Sequence, residues 1–260
     1  MIFTPKFPTN LHRDAAELIK DYFLSFPQVD TTLVVNSCAR GKAVPDSDLD
    51  FAILVKPGTT ANEINEIHSA WLSWSASQPA TTNYKQSTRF SHIHLDVIYG
   101  NYVPMVIEEG EPMDYFEIEI GNQICYSAPM GPIGPHFRNL QAKWLPYYES
   151  DLRSKRLSQV INACMYDLDH VSVFMKRGLY FQSFEILYKA FQEYLQALFI
   201  SNRTYPIAYN KWIKEQVVGW LNKADLYPRL PPILSIANIE SNDINAKAKM
   251  VRELLSNIEH

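Results

Sequence analysis

NSCARGKAVPDSDLDFAILV, residues 36–55, is the stretch on which the reading of this chain turns. Small residues and a single arginine lead through Pro45 into Asp46-Ser47-Asp48-Leu49-Asp50, and from there into the unbroken apolar run Phe51 to Val55. The segment from Leu49 to Val55, closed by Pro57-Gly58, predicts a strand. Successive strand side chains alternate, so Asp48 and Asp50 project to one face while Leu49, Phe51 and Ile53 project to the other. Two carboxylates side by side repel. A cation between them relieves the repulsion, and an all-oxygen donor set suits Mg²⁺. An Asp-x-Asp alone also fits a solvated strand edge. The residues just upstream favour the site. Ser37 to Gly41 follows an apolar strand, and its backbone N–H groups can face an anion at the start of a short helix. A hydroxyl, a run of amides and then a carboxylate pair make a phosphate cradle beside a metal site.

Working outward, Leu11, Ala15, Leu18, Ile19, Tyr22 and Phe23 form the stripe of an amphipathic helix over Asn10 to Phe26. A strand is predicted over Thr32 to Asn36, a helix over Ala61 to Trp74, and a strand within Thr88 to Tyr99. Glu117 to Tyr126 reads as a hairpin turning at Gly121-Asn122. APMGPIGP, residues 128–135, disfavours helix or central strand and marks a domain break. Beyond it, Leu157, Val160, Ile161, Cys164, Leu168, Val171 and Met175 share one helical stripe. Phe184, Leu187, Phe191, Tyr194, Leu195 and Leu198 share a second, and shorter helices follow over Lys211 to Leu221 and Ile244 to Ile258. The expected fold is α+β: an N-terminal α/β domain with a small mixed sheet, residues 1–130, and an all-helical bundle, residues 136–260.

Composition narrows the function classes. With 260 residues, 47% of them apolar, the chain can build a core without disulfides. Its three cysteines, Cys38, Cys125 and Cys164, contain no CxxC pair, which fits a reduced, cytoplasmic setting. No basic stretch followed by an apolar run opens the sequence, and no apolar run approaches a membrane span, so no membrane partner is expected. A net charge of −4 argues against a nucleic-acid partner gripped through its phosphate backbone. Only nine glycines are present, about half the ~7% of an average protein, so each one marks a position of interest.

The 36–55 stretch resembles the motif of the nucleotidyltransferase superfamily with the polymerase-beta-like fold, in particular the antibiotic adenylyltransferases that carry a C-terminal helical domain. In that motif an apolar strand precedes Gly-Ser, a spacer that often reads Arg-Ala-Arg-Gly, and Asp-Ser-Asp-x-Asp running into a strand. Ser37, Ala39, Arg40, Gly41, Ala43, Pro45, Asp46, Ser47, Asp48 and Asp50 fall in register. Asn36 stands where the family usually has Gly; Asn tolerates left-handed backbone angles better than most residues, but its side chain is one that would crowd phosphates. The resemblance implies two Mg²⁺ ions on Asp48 and Asp50, a nucleoside triphosphate held through Ser37, Cys38, Arg40, Gly41 and Ser47, and transfer of a nucleoside monophosphate, AMP if the nucleotide is ATP, to a hydroxyl of a small acceptor. It also implies a third carboxylate from a neighbouring strand.

Asp96 is the candidate, because His92, His94, Asp96 and Ile98 share one face of a strand. By resemblance it either completes the metal site or deprotonates the attacking hydroxyl. His92-Ile-His94-Leu-Asp96 also opens the His-x-His-x-Asp-His pattern of zinc hydrolases, but residue 97 is Val where that pattern needs His. In the helical part, Tyr205-Pro-Ile-Ala-Tyr-Asn-Lys211-Trp212 resembles a stretch at the start of a late helix in the C-terminal domains of such enzymes, which makes Lys211 the first candidate for a phosphate contact, and Lys189 is the second. Asp167, Asp169, Glu185 and Glu193 would line a pocket for a cationic acceptor or simply meet solvent. The aromatic residues Tyr180, Phe181, Phe184, Tyr188, Phe191 and Tyr194 are expected in the core rather than under a base. Similar enzymes complete their sites with a neighbouring subunit, which implies a homodimer. The competing reading is an inert nucleotide-binding or antitoxin-like relative of the same fold.

Overall fold

A computed structural model gives the fold and describes residues 3–258. The chain forms two compact units, one of residues 1–102 with 119–146, the other of 103–118 with 147–260. The 128–135 stretch, read as a break between 130 and 136, lies within the first of these units. That stretch stays in the first unit because both of its ends are hydrogen-bonded there, as described below.

In the first unit, β1 (Val29–Val34) pairs antiparallel with β2 (Leu49–Val55), and β3 (Ile93–Ile98) adds to β2 in parallel. The two-residue β4 (Ala128–Pro129) adds to β1, giving the order β3-β2-β1-β4. The sheet is small and mixed, as expected. A parallel pair needs a crossover, here supplied by α3 (Ala61–Ser77) and α4 (Pro79–Lys85). Thr60 and Glu63 close a capping box at the start of α3, and Pro79 opens α4 at the position where its missing N–H costs nothing. The face of β2 bearing Leu49, Phe51, Ile53 and Val55 is buried with Ala15, Ile19 and Phe23 of α1 (Asn10–Phe23) and with Ile67, Trp71 and Tyr84. Each such side chain contributes about 1.5–3 kcal/mol on burial. The core therefore fixes which face of β2 is left for Asp48 and Asp50.

The edges of 128–135 are tied to β1. Met130 N donates to Thr32 O at 2.8 Å, while the buried Asp30 carboxylate accepts from the N–H groups of His136 and Phe137, each at 3.0 Å, at the start of α6 (Pro135–Trp144). A negative charge at a helix N-terminus satisfies otherwise orphaned donors. Gly134 is required by close approach, since a methyl there would overlap the Asp30 carboxylate.

The expected hairpin over 117–126 is corrected. This segment is helical, α5 (Phe116–Ile120) continuing into a π-helical turn, Gly121–Cys125. A two-residue hairpin turn requires positive φ, which neither Gly121 nor Asn122 adopts. Phe116, Ile120 and Ile124 are buried at helical spacing, and this period overrides the local alternation.

In the second unit, α7 (Ser150–Lys176), α8 (Tyr180–Ser201) and α9 (Asp243–Leu255) carry the core. Leu157, Val160, Cys164, Leu168 and Val171 are buried against Leu187, Phe191, Tyr194, Leu195 and Leu198, as the two stripes predict. The aromatic series divides, however. Phe191 and Tyr194 are core, whereas Phe181 and Phe184 are exposed because they lie off the buried face. Arg156, 1% exposed, pairs with Asp114 at 2.6 Å and Glu117 at 2.5 Å, and Gln196 donates to both carboxylates. Among the described residues, no helix is long and apolar enough to cross a membrane.

Candidate functional site

The loop between β1 and β2 begins with α2 (Asn36–Arg40), and its ends are set by two backbone conformations. Asn36 has φ 57° and Gly41 has φ 69°, both left-handed. Gly41 ends α2, its N–H and that of Lys42 returning to Cys38 O and Ser37 O. A side chain at 41 would be strained by that φ and would press on the Lys6 side chain. Asn36 accepts its angle because Asn visits the left-handed region more readily than most residues. This is the position where the resemblance expects Gly.

Asp48 and Asp50 follow the loop. Ser47 closes the preceding turn, its N–H donating to Val44 O at 2.8 Å and its hydroxyl accepting from Val44 N at 2.9 Å. The hydroxyl of Ser47, read from the sequence as a nucleotide contact, therefore serves the turn. Ser47 O in turn faces Tyr84 Oη at 2.9 Å and His12 Nε2 at 3.0 Å. Both anchors are buried. Thr9, the cap of α1, holds the other ring nitrogen of His12 at 2.7 Å. One carbonyl thus ties the approach to Asp48 to two helices.

Parallel pairing of β2 with β3 places Asp50 beside His94 and Ala52 beside Asp96. His94 Nε2 lies 3.4 Å from Asp48 Oδ2, and one donor atom from each of Asp48, Asp50 and His94 falls within 4.8 Å of the others. Two carboxylates and an imidazole converging this closely fit a divalent cation. Asp50 is half-buried, and its pKa is pushed up to about 6, chiefly by burial and then by Asp48. A hydrogen bond from the Asn36 side chain and the neighbouring His94 pull it back down.

The other sequence candidates are placed as follows. Asp96 is exposed on β3, close enough to Asp50 to raise its pKa slightly but two residues further along the strand than His94. Ser37 is half-buried at the start of α2 and hydrogen-bonds Cys38. The Cys38 side chain is buried, its thiol pushed up to about 12 by burial and by Asp50 and Asp48, so only its backbone is available to a ligand. Arg40 ends α2, half-buried. Lys189 and Lys211 belong to the second unit. Lys189 Nζ is 3.0 Å from Asp167 and 3.7 Å from Glu193, both buried, so its charge is committed there. Lys211 is exposed. Of the acidic candidates, Asp169 pairs with Arg252 at 2.8 Å and Glu185 is exposed.

Sequence reasoning missed His94 as a member of the cluster, the Asn36 contact, and the anchors His12 and Tyr84. His94 was visible on the Asp96 face, but only the β2–β3 register makes it the neighbour of Asp50. No protein-family model matches the chain, and no curated protein is significantly similar to it.

Proposed function

We propose that the chain is a metal-dependent nucleotidyltransferase with the polymerase-beta-like fold, acting in the cytoplasm on a small hydroxyl-bearing acceptor. The observation that carries this reading is the convergence of Asp48, Asp50 and His94 beside the α2 loop, which ends on a left-handed glycine. Divalent metal held by Asp48 and Asp50 would neutralise the triphosphate and the charge developing at the α-phosphorus. The acceptor oxygen bonds to that phosphorus, the bond to the bridging β-oxygen breaks, and pyrophosphate leaves with the electron pair. Asp96, exposed on the same strand face, would either join the metal site or take the hydroxyl proton. Ser37 and the amides that follow it would hold the departing phosphates. AMP from ATP is the transfer we favour. Mass spectrometry of reactions containing each NTP, Mg²⁺ or Mn²⁺ and a hydroxyl-bearing metabolite library tests it, through the mass increment of one nucleoside monophosphate.

One contact favours a second reading, an inert nucleotide-binding or antitoxin-like module. The Asn36 side chain already favours the ionised form of Asp50, and so partly does what a cation would do. Nucleotide binding by calorimetry with no product across the same library would support it.

A further inference from the structure

We infer that His94 is itself a metal ligand and that it biases the site toward Mn²⁺ or another transition-metal ion over Mg²⁺. This inference rests on the proposed function for the involvement of Asp48 and Asp50, and goes beyond it in the donor set.

The register of the sheet carries the argument. Because β2 and β3 are parallel with Asp50 opposite His94, the two side chains leave adjacent strands on the same face, at the spacing of sheet neighbours. Asp48 lies two residues earlier on that face. The imidazole Nε2 already sits 3.4 Å from Asp48 Oδ2, and the three donors span no more than 4.8 Å. Ligands of one ion bound at about 2.0–2.2 Å lie at most ~4.4 Å apart, so closure needs only a small side-chain adjustment. The side chains of His94 and Asp48 are 58% and 45% exposed, so both can make that adjustment.

Donor chemistry sets the preference. Mg²⁺ takes oxygen ligands and keeps its waters, whereas imidazole suits the transition metals. Had Asp96 been the residue opposite Asp50, the set would be all oxygen and Mg²⁺ would be its natural occupant. Asp96 is instead paired with Ala52, and the nitrogen donor takes the nearer place. His92, with its ring 6.2 Å from that of His94, is the other imidazole in the neighbourhood and is the necessary control.

The test uses the whole chain and Mn²⁺ alone, without nucleotide. Titration followed by electron paramagnetic resonance gives the affinity, competition with Mg²⁺ gives the preference, and spin-echo modulation detects a coordinated imidazole nitrogen. Wild type and His92→Ala should show the nitrogen modulation. His94→Ala should lose it, and its Mn²⁺ affinity should fall by at least the roughly 10–100-fold seen when even outer partners of a metal are removed. Mg²⁺ affinity should barely change, so the preference for Mn²⁺ collapses. An exposed residue is substituted, so folding is not at stake, and unchanged circular dichroism checks this. Bound Mn²⁺ without nitrogen modulation, modulation that survives in His94→Ala, no Mn²⁺ binding, or equal metal preference in the two proteins would each overturn the inference. Transfer is not read here, so the two ideas fail separately. Nitrogen-bound Mn²⁺ in a chain that transfers nothing removes the proposed function alone, and transfer with oxygen-only Mn²⁺ removes the role of His94 alone.

Discussion

Asn36 holds a left-handed backbone angle, φ 57°, and from that position its side chain draws the pKa of Asp50 down. The residue therefore has two separable roles, one in the backbone and one at the carboxylate pair. Glycine keeps the first and loses the second, whereas alanine loses both. Asn36→Ala should be less stable than Asn36→Gly by about 1 kcal/mol, the cost of a left-handed angle with a Cβ and no local hydrogen bond. Urea unfolding of the two variants measures it, and equal midpoints would show that the backbone angle is not what Asn36 supplies.

Asp50 gives a pH dependence whose sign is fixed. Its pKa in the folded chain is pushed up to about 6, above the ordinary carboxylate value of 3.8. The folded chain therefore holds the proton more tightly than the unfolded one. Stability from this group is present at low pH and is lost as pH rises from about 4 through about 6. In metal-free buffer Asp50→Asn should remove that slope and raise stability at pH 7 by about 1–2 kcal/mol, allowing for the half-exposed setting. A variant that is less stable than wild type at pH 7 would contradict it.

The carbonyl of Ser47 is the point through which α1 and α4 fix the approach to Asp48. Tyr84→Phe removes one hydroxyl from that carbonyl without changing the shape of the ring. It should cost about 1 kcal/mol of stability and weaken metal binding several-fold while the far-ultraviolet spectrum is unchanged. Metal affinity identical to wild type would mean that His12 and the turn at Val44 and Ser47 hold the loop without Tyr84.

In the second unit Lys189 stands against two buried carboxylates, Asp167 and Glu193. Burial and Asp167 push the Glu193 pKa up. Lys189→Met should destabilise by about 3–5 kcal/mol, because it strands buried charge, whereas Glu193→Gln should be close to neutral near pH 7. Thermal unfolding of both separates this structural role from the phosphate contact read from the sequence. A Lys189→Met protein as stable as wild type would return the lysine to the list of ligand contacts.

What the sequence made legible follows from the range of the forces involved. The direction of Asp48 and Asp50 was readable because strand alternation is local and Leu49, Phe51, Ile53 and Val55 could only face the core. The end of α2 was readable for a similar reason, since Gly41 closes it with a backbone angle that glycine adopts without strain. His94 was not, because no local rule tells which residue of β3 lies beside Asp50. Asp96 looked like the third member from its chemistry, and the register set His94 beside Asp50 instead. The segment 117–126 misled for the opposite reason. Its alternation and Gly121-Asn122 mimic a hairpin, while the burial of Phe116, Ile120 and Ile124 at helical spacing decides the outcome.

Pyrophosphate release by the paired carboxylates is the most direct test of the central claim. With ATP, Mn²⁺ or Mg²⁺ and the acceptor library, wild type should release pyrophosphate and yield a product heavier by one nucleoside monophosphate. Asp48→Asn and Asp50→Asn should each lower that rate by at least about 100-fold, as expected when a charged group aimed at the reacting phosphate is removed, while remaining folded. Wild-type turnover retained in either variant, or no product from wild type with any nucleotide, would contradict the account.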